Sequence, residues 1–295
     1  MVAALPRNIQ LKLQQTLSQW RQWHCEPALT ARPSVAAVLT TGLSNFSVLV
    51  ESGRRFIVRI DGVNTAVHNL NRQGEWRNLQ AAHRAGLAPG PRYFNPELGS
   101  LVCDYLEPDK QQPMVISEVA ALLNAIHRLP ARHQRLDLPE RMLSYEKRLD
   151  HRAAPRAALL THYRDGVRTV LATAEADKRA TVLCHHDLLR ANRLYSGGRL
   201  YAIDWEYAAM GDPCYELAAV AAGDSLSTRE TDELLAAYLG RAAGENERRR
   251  VQQYGCAYRY LELLWYLAQD HPALDEGQLR HKVAALGESL RQAGA

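Results

Sequence analysis

No stretch of this 295-residue chain approaches the ~18 uninterrupted apolar residues that a membrane-spanning helix requires, and Met1-Val-Ala-Ala-Leu-Pro-Arg lacks the apolar run of a signal peptide. The expectation is a chain neither exported nor embedded, working in the cytoplasm. Paired cysteines are also missing: Cys25, Cys103, Cys184, Cys214 and Cys256 are odd in number and scattered, and no CxxC suggests a zinc site or a disulfide framework. A strong charge imbalance is absent too. With 36 Lys and Arg against 32 Asp and Glu, the net charge is +4, and only short clusters such as Arg248, Arg249 and Arg250 break the mixing of signs. That gives no footing for a nucleic-acid partner, yet it would not repel an anionic nucleotide. Internal repeats, heptads and low-complexity linkers do not occur.

What is present is enough apolar residue, 46% of the chain, to bury the core of one large domain or two lobes. An amphipathic helix is expected from about Ile9 to Trp23. Ser34 to Ile60 reads as strands, with Phe46, Val48 and Val50 alternating before a Glu51-Ser52-Gly53-Arg54 turn, and Phe56, Val58 and Ile60 resuming the period of two. Phe56, Val58 and Ile60 share one face and Ile57 and Arg59 the other, which sets a lone Arg beside a buried strand face. A helix from about Ala66 to Ala85, ended by Gly86, precedes a strand pair, Arg92 to Asn95 and Ser100 to Leu106. From Val115 onward the pattern is helical, with a long helix near Ala154 to Glu175, several helices from Tyr215, and one strand-rich island between Thr181 and Ile203. The order describes a small lobe, 1–106, and a large one, 107–295, joined at Glu107-Pro108-Asp109 and leaving a cleft between them.

The chemistry concentrates in Leu183-Cys184-His185-His186-Asp187-Leu188-Leu189-Arg190-Ala191-Asn192, followed by Leu200-Tyr201-Ala202-Ile203-Asp204-Trp205-Glu206. Phosphoryl transfer demands placement more than covalent help: a carboxylate near the attacking hydroxyl and oxygen ligands for magnesium on the phosphates. Asp187 and Asn192 share one loop, and Asp204 arrives on the return strand of a Ser196-Gly197-Gly198 hairpin, so the three supply that set.

This segment resembles the catalytic and metal-binding loops of the eukaryotic-like kinase superfamily, in the branch of choline, ethanolamine and thiamine kinases and aminoglycoside phosphotransferases. The resemblance implies a bilobal, protein-kinase-like α+β fold with a small antiparallel-sheet lobe and a large, mainly helical lobe. It implies Asp187 as catalytic base, Asn192 and Asp204 as Mg2+ ligands, His185 as a brace behind the loop, and ATP as co-substrate. Three features upstream follow the same order. Thr41-Gly42-Leu43-Ser44-Asn45 is similar to the Gly-Leu-Ser/Thr-Asn phosphate loop of choline kinase-like proteins and departs from GxGxxG; it places Gly42, Ser44 and Asn45 at the nucleotide. Arg59 stands where a strand lysine would contact the α- and β-phosphates, with Glu75 as its helix partner, and a guanidinium can grip a phosphate bidentately. Leu101-Val102-Cys103-Asp104-Tyr105-Leu106-Glu107 resembles the hinge, whose backbone around Asp104 and Leu106 would meet the adenine edge.

Asp204-Trp205-Glu206-Tyr207-Ala208-Ala209-Met210-Gly211-Asp212 is similar to the pattern of thiamine kinases and bacterial choline kinases. The implied acceptor is the hydroxyl of a small amine-bearing alcohol, choline- or thiamine-like, because such a cation is recognised by aromatic faces backed by carboxylates. Tyr254, Tyr258 and Trp265 recur along one helix face with Glu262, and Glu206 follows the metal ligand by two residues; Glu206, Tyr258 and Trp265 are therefore the candidate substrate contacts. An aromatic stripe at this spacing serves a core as readily as a cage, and both readings stand at this point. An amino-sugar or aminoglycoside phosphotransferase on the same fold, and a nucleotide-binding pseudokinase, are the alternatives. A protein kinase is disfavoured, since Asp204-Trp205-Glu206 replaces DFG and no Ala-Pro-Glu follows.

Overall fold

The computed structural model describes residues 5–39, 45–62, 70–110, 113–150, 155–177, 180–269 and 274–294. In chain order the elements begin with α1 (Arg7–Ser18), β1 (Ser34–Leu39), β2 (Asn45–Glu51), β3 (Arg55–Asp61), α2 (Arg72–Arg84), β4 (Pro91–Asn95) and β5 (Ser100–Asp104). There follow α3 (Ile116–His127), α4 (Leu138–Asp150), α5 (Pro155–Thr161), α6 (Arg164–Ala176), β6 (Val182–Cys184), β7 (Arg193–Ser196), β8 (Arg199–Ala202) and β9 (Ala209–Gly211). The chain ends in α7 (Pro213–Gly223), α8 (Thr228–Leu239), α9 (Glu245–Gln269) and α10 (Glu276–Ala293). Two compact units divide these elements: Met1–Gln112 with Arg193–Ala208, and Pro113–Asn192 with Ala209–Ala295. The first unit thus runs past the boundary read at 106 and takes in the β7–β8 hairpin, which the sequence reading assigned to the larger lobe.

In the first unit β1 to β5 form an antiparallel sheet of order β1-β2-β3-β5-β4. Val48 pairs with Val58 across β2 and β3, and the expected inward face is observed: Val48, Val50, Phe56, Val58 and Ile60 are all fully buried against Ile9, Leu13 and Leu17 of α1. Each such side chain contributes about 1.5–3 kcal/mol when fully removed from water, so a one-residue slip would exchange this face for the Arg59 face and is strongly disfavoured. The β7–β8 turn places Gly197 and Gly198 at φ of 57° and 75°, the left-handed pair that a two-residue hairpin of this kind requires. Both glycine N–H groups donate to the Asp109 carboxylate, at 2.9 and 2.8 Å, which fixes the tip.

The helical second unit is organised on α9, which packs against α4, α6, α7 and α10. Its helices carry their stop and start signals in the sequence. Asp212 caps α7 ahead of Pro213, and Ser227 and Glu230 form a reciprocal capping box on α8, which ends at the left-handed Gly240. Ser227→Ala removes the acceptor for the Glu230 N–H and is expected to cost about 1 kcal/mol in thermal unfolding, with turnover unchanged.

The α+β architecture, an N-terminal antiparallel sheet followed by helices, is as expected. Two elements differ. The single helix read over 154–175 is α5 and α6: the Tyr163 N–H bonds the Leu160 carbonyl at 3.0 Å, a tightened turn, and the Tyr163 carbonyl then starts the next helix by accepting from Val167 at 2.9 Å. No Pro or Gly marks that break. β9 was not anticipated, because Ala209-Met210-Gly211 is too short to alternate; it is a strand only through pairing with β6. The helix expected from 66 begins at Arg72 behind an Asn71 cap, and residues 63–69 lie outside the described range.

Candidate active site

In the second unit, β6 delivers the chain into the loop 185–192, whose internal hydrogen bonds close the bend. His185 is fully buried, and its Nδ1 accepts the Asp187 N–H at 3.3 Å, the bracing role expected of it. The Asn192 amide nitrogen donates to the Asp187 carbonyl at 2.9 Å and to its Oδ2 at 2.7 Å, so the two motif residues meet across a five-residue loop. With its nitrogen committed there, the atom that Asn192 retains for a cation is its carbonyl oxygen. His186, just before Asp187, has φ of 63°, and its N–H donates to Glu216 Oε1 at 2.7 Å.

In the first unit Arg59 reaches from β3 to Glu75 on α2, Nη2 to Oε2 at 2.7 Å and Nη1 to Oε1 at 2.5 Å, and its Nη1 also donates to Asp204 Oδ1 at 2.8 Å. The expected Arg–Glu pair is therefore formed, and the same guanidinium holds Asp204. A second arginine, Arg72, was missed by the sequence reading. It opens α2 one turn before Glu75 and binds Asp61 at 2.6 Å, Glu75 at 2.8 Å and Glu206 at 2.9 Å. Burial works against ionisation of Glu75, yet Arg59 and Arg72 together hold its carboxyl below the ordinary carboxylate value.

Asp204 follows β8 with φ of 63° and remains one-third exposed. Burial, and then the neighbouring Glu206 charge, push its carboxyl up, with Arg59 opposing. A partly open carboxylate with a second carboxylate, Glu206, close by suits a hard divalent cation, since magnesium prefers oxygen donors, and the amide oxygen left to Asn192 is a donor of the same kind. The donor chemistry fits.

Several expected site residues stand differently. Gly42 and Ser44 lie outside the described residues. Asn45 opens β2 and donates from Nδ2 to Glu206 Oε2 at 2.9 Å. Glu206, read as a substrate contact, is buried and accepts from both Asn45 and Arg72 through Oε2, which makes it a member of the ionic network. The Asp104 N–H donates to the Gly90 carbonyl at 2.8 Å and its carboxylate accepts from Arg92 and Arg54, so a nucleobase would have to be met through other backbone groups of this segment. Leu106, two residues on, makes no hydrogen bond among the described residues.

On α9 the stripe divides. Tyr254 is core, its hydroxyl donating to Asp212 at 3.2 Å beside Arg250. Tyr258 is 8% exposed, and Trp265 stands edge-on to Tyr266, centroids 5.1 Å apart. Burial first and then Glu262 and Asp187 raise the phenols of Tyr258 and Tyr266, so both rings lie within the field of the loop carboxylate. The Lys282 ammonium sits 5.5 Å from the Tyr266 centroid and 2.7 Å from Glu262.

Over residues 36–254 the sequence matches the APH phosphotransferase enzyme family. The chain belongs to that family. Among curated relatives, protein LicA of Haemophilus influenzae is 26% identical over 245 residues, 77% of this phosphotransferase and 70% of LicA. Among solved structures, choline kinase LicA from Streptococcus pneumoniae superposes with a TM-score of 0.74 at 24% identity, covering 88% of this chain and 95% of that one. Spectinomycin phosphotransferase in complex with ADP and spectinomycin gives 0.60 at 13% identity, covering 96% and 97%. This phosphotransferase is thus a small-molecule kinase with the fold shared by choline kinases and aminoglycoside kinases. Among its described residues, no helix is long and apolar enough to cross a membrane.

Proposed function

We propose that this phosphotransferase transfers the γ-phosphoryl of ATP to the hydroxyl of a small amine-bearing alcohol, choline- or thiamine-like. The observation that carries the reading is the Asp187–Asn192 contact, which presents a carboxylate for the acceptor hydroxyl and an amide oxygen for a metal on one braced loop. Asp187 orients the hydroxyl and takes its proton as the oxygen attacks in line. Asp204 and Asn192 are the proposed magnesium ligands, and bound magnesium would supply charge neutralisation on the phosphate oxygens. Arg59, fixed by Glu75, offers a guanidinium to the α- and β-phosphates, and the main chain of Leu106 is the proposed contact for adenine.

The cationic acceptor rests on α9. Tyr266 and Glu262 already accommodate an ammonium, that of Lys282, which is the chemistry a choline-like cation needs, and Tyr258 and Trp265 extend the aromatic surface. The likeness to LicA proteins supports choline over other amines. The fold shared with spectinomycin phosphotransferase keeps an aminoglycoside or amino sugar as the alternative.

A coupled ADP-release assay with magnesium-ATP across choline, ethanolamine, thiamine, aminoglycosides and amino sugars tests this, with Asp187→Asn as the blank. Saturable turnover with choline or thiamine, lost in the variant, is expected. Turnover confined to aminoglycosides would move the acceptor to the alternative, and silence across the panel with magnesium-ATP binding intact would overturn the proposed acceptor class.

A further inference from the structure

The aromatic surface on α9 already holds a cation of the chain's own. Lys282 lies in the first half of α10. The contacts Cys256–Ser289 at 3.2 Å and Glu262–Lys282 at 2.7 Å, in which one number rises as the other falls, show that α10 runs antiparallel to α9. Glu262 and Tyr266 are one turn apart on α9 and share a face, and Lys282 bridges them: its ammonium is 2.7 Å from Glu262 Oε1 and 5.5 Å from the Tyr266 centroid. Among the described residues, Lys282 is the one hydrogen-bond partner of the Glu262 carboxylate.

A lysine that only tied two helices together would need a carboxylate and nothing else. Here the ammonium stands between a carboxylate and an aromatic face, the two groups by which a protein recognises an ammonium ligand. The cluster also lies beside the catalytic loop. A Cβ on Gly223, at the end of α7, would collide with both Leu189 of the loop and the Tyr258 hydroxyl, so that ring, one turn before Glu262, stands against the loop. After burial, the Glu262 and Asp187 charges both raise the Tyr258 and Tyr266 phenols. The Lys282 and Glu262 side chains are 33% and 21% exposed, so the ammonium has a way out. Its four-carbon stem can rotate into water, where a compact ammonium is strongly hydrated. Ion pairs open to solvent contribute little stability, which leaves exchange for a second cation close to balanced.

We propose, resting on the acceptor reading given above, that Lys282 is a specificity-determining residue: its ammonium holds the position of the acceptor's cation, and an acceptor enters by displacing it from Glu262 and Tyr266. A neutral alcohol cannot make that exchange, because it would leave the Glu262 carboxylate without a positive partner. A quaternary or protonated amine can. Lys282 thereby screens acceptors by charge and weakens the binding of every one that passes.

Choline titrated by calorimetry into the parent and its variants, with magnesium-ADP present, tests the exchange. Lys282→Met and Lys282→Gln remove the competitor and leave its two partners in place. Choline is expected to bind both about 3-fold to 10-fold more tightly than it binds the parent, the scale of a partly exposed ion pair reinforced by one ring. Near-ultraviolet dichroism confirms folding, and the second neutral variant carries the test should the first not fold. Lys282→Arg keeps the charge and is expected to bind choline no more tightly than the parent. In Glu262→Gln the carboxylate no longer holds the lysine, so choline binds more weakly than to the parent and the gain from Lys282→Met disappears in that background. A gain that persists there overturns exchange at Glu262. Choline bound with equal or lower affinity by the folded neutral variants overturns the proposal, and lower affinity would give Lys282 the task of orienting Glu262. Choline bound alike by the parent and both neutral variants sinks the present proposal alone. No choline binding by any of the three, with magnesium-ADP bound, sinks the acceptor reading as well.

Discussion

Asp187→Asn is expected to fold like the parent, bind magnesium-ATP with the same affinity and lose about 10² to 10⁴ of its turnover, the range that a positioned base contributes. The substitution preserves shape. An asparagine Oδ1 can still face the Asn192 amide, and the Asp187 N–H to His185 and the carbonyl accepting from Asn192 are main-chain bonds that do not depend on the side chain. What is lost is the capacity to receive a proton from the attacking hydroxyl. The measurement is steady-state kcat beside calorimetric nucleotide affinity. A variant with parental kcat would remove Asp187 from the role of base, and one that no longer binds nucleotide would show that the residue supports the site structurally.

The second large effect concerns stability. Glu75 is 3% exposed and is the carboxylate that Arg59 and Arg72 share. Glu75→Gln leaves two buried guanidinium groups short of one negative charge, and breaking a buried pair in this way costs about 3–5 kcal/mol. Asp204, Asp61 and Glu206 still contact the two arginines, so the lower end of that range is expected. The pH dependence has a definite sign. The folded-state value of Glu75 lies below its ordinary 4.5, so its contribution is fully present above that value and is lost as pH falls through the lower, folded value. The gap in unfolding free energy between parent and variant should therefore be constant near neutrality and shrink below about pH 4.5. A gap that stays the same into acid would mean that the carboxylate is not ionised by its arginines.

What was legible in the sequence is what depends on near neighbours. The period of two in Phe56, Val58 and Ile60 fixed β3 and its buried face, the Gly197-Gly198 pair fixed the hairpin, and the spacing of Asp187 and Asn192 matched one closed loop. Even Arg59 and Glu75 could be paired, because their order along the chain matched a family pattern. Arg72 sat in plain view three residues before Glu75, the spacing that puts two side chains on one helix face, and that signal could have found it. Glu216 and His127 offered no such sign. They are 89 residues apart, on helices whose apolar faces explain themselves, and only the tertiary fold brings a carboxylate, an imidazole and a loop peptide together. Glu206 shows the converse: the motif set it two residues after Asp204, while the Arg72 and Asn45 contacts on its Oε2 come from elements that the motif does not include.

The left-handed backbone at His186 and Asp204 bears on how this enzyme would respond to laboratory evolution. Each holds a conformation that costs a residue with a Cβ roughly 1–3 kcal/mol, and Asn or Gly adopts it more readily. A library selected only for survival of heating would be drawn to those two positions, where small changes relieve strain at once. There the gain in melting temperature would come at the expense of the loop and the carboxylate that turnover needs. Heat-hardened descendants should therefore be found inactive more often through these two codons than through any position in the hydrophobic core.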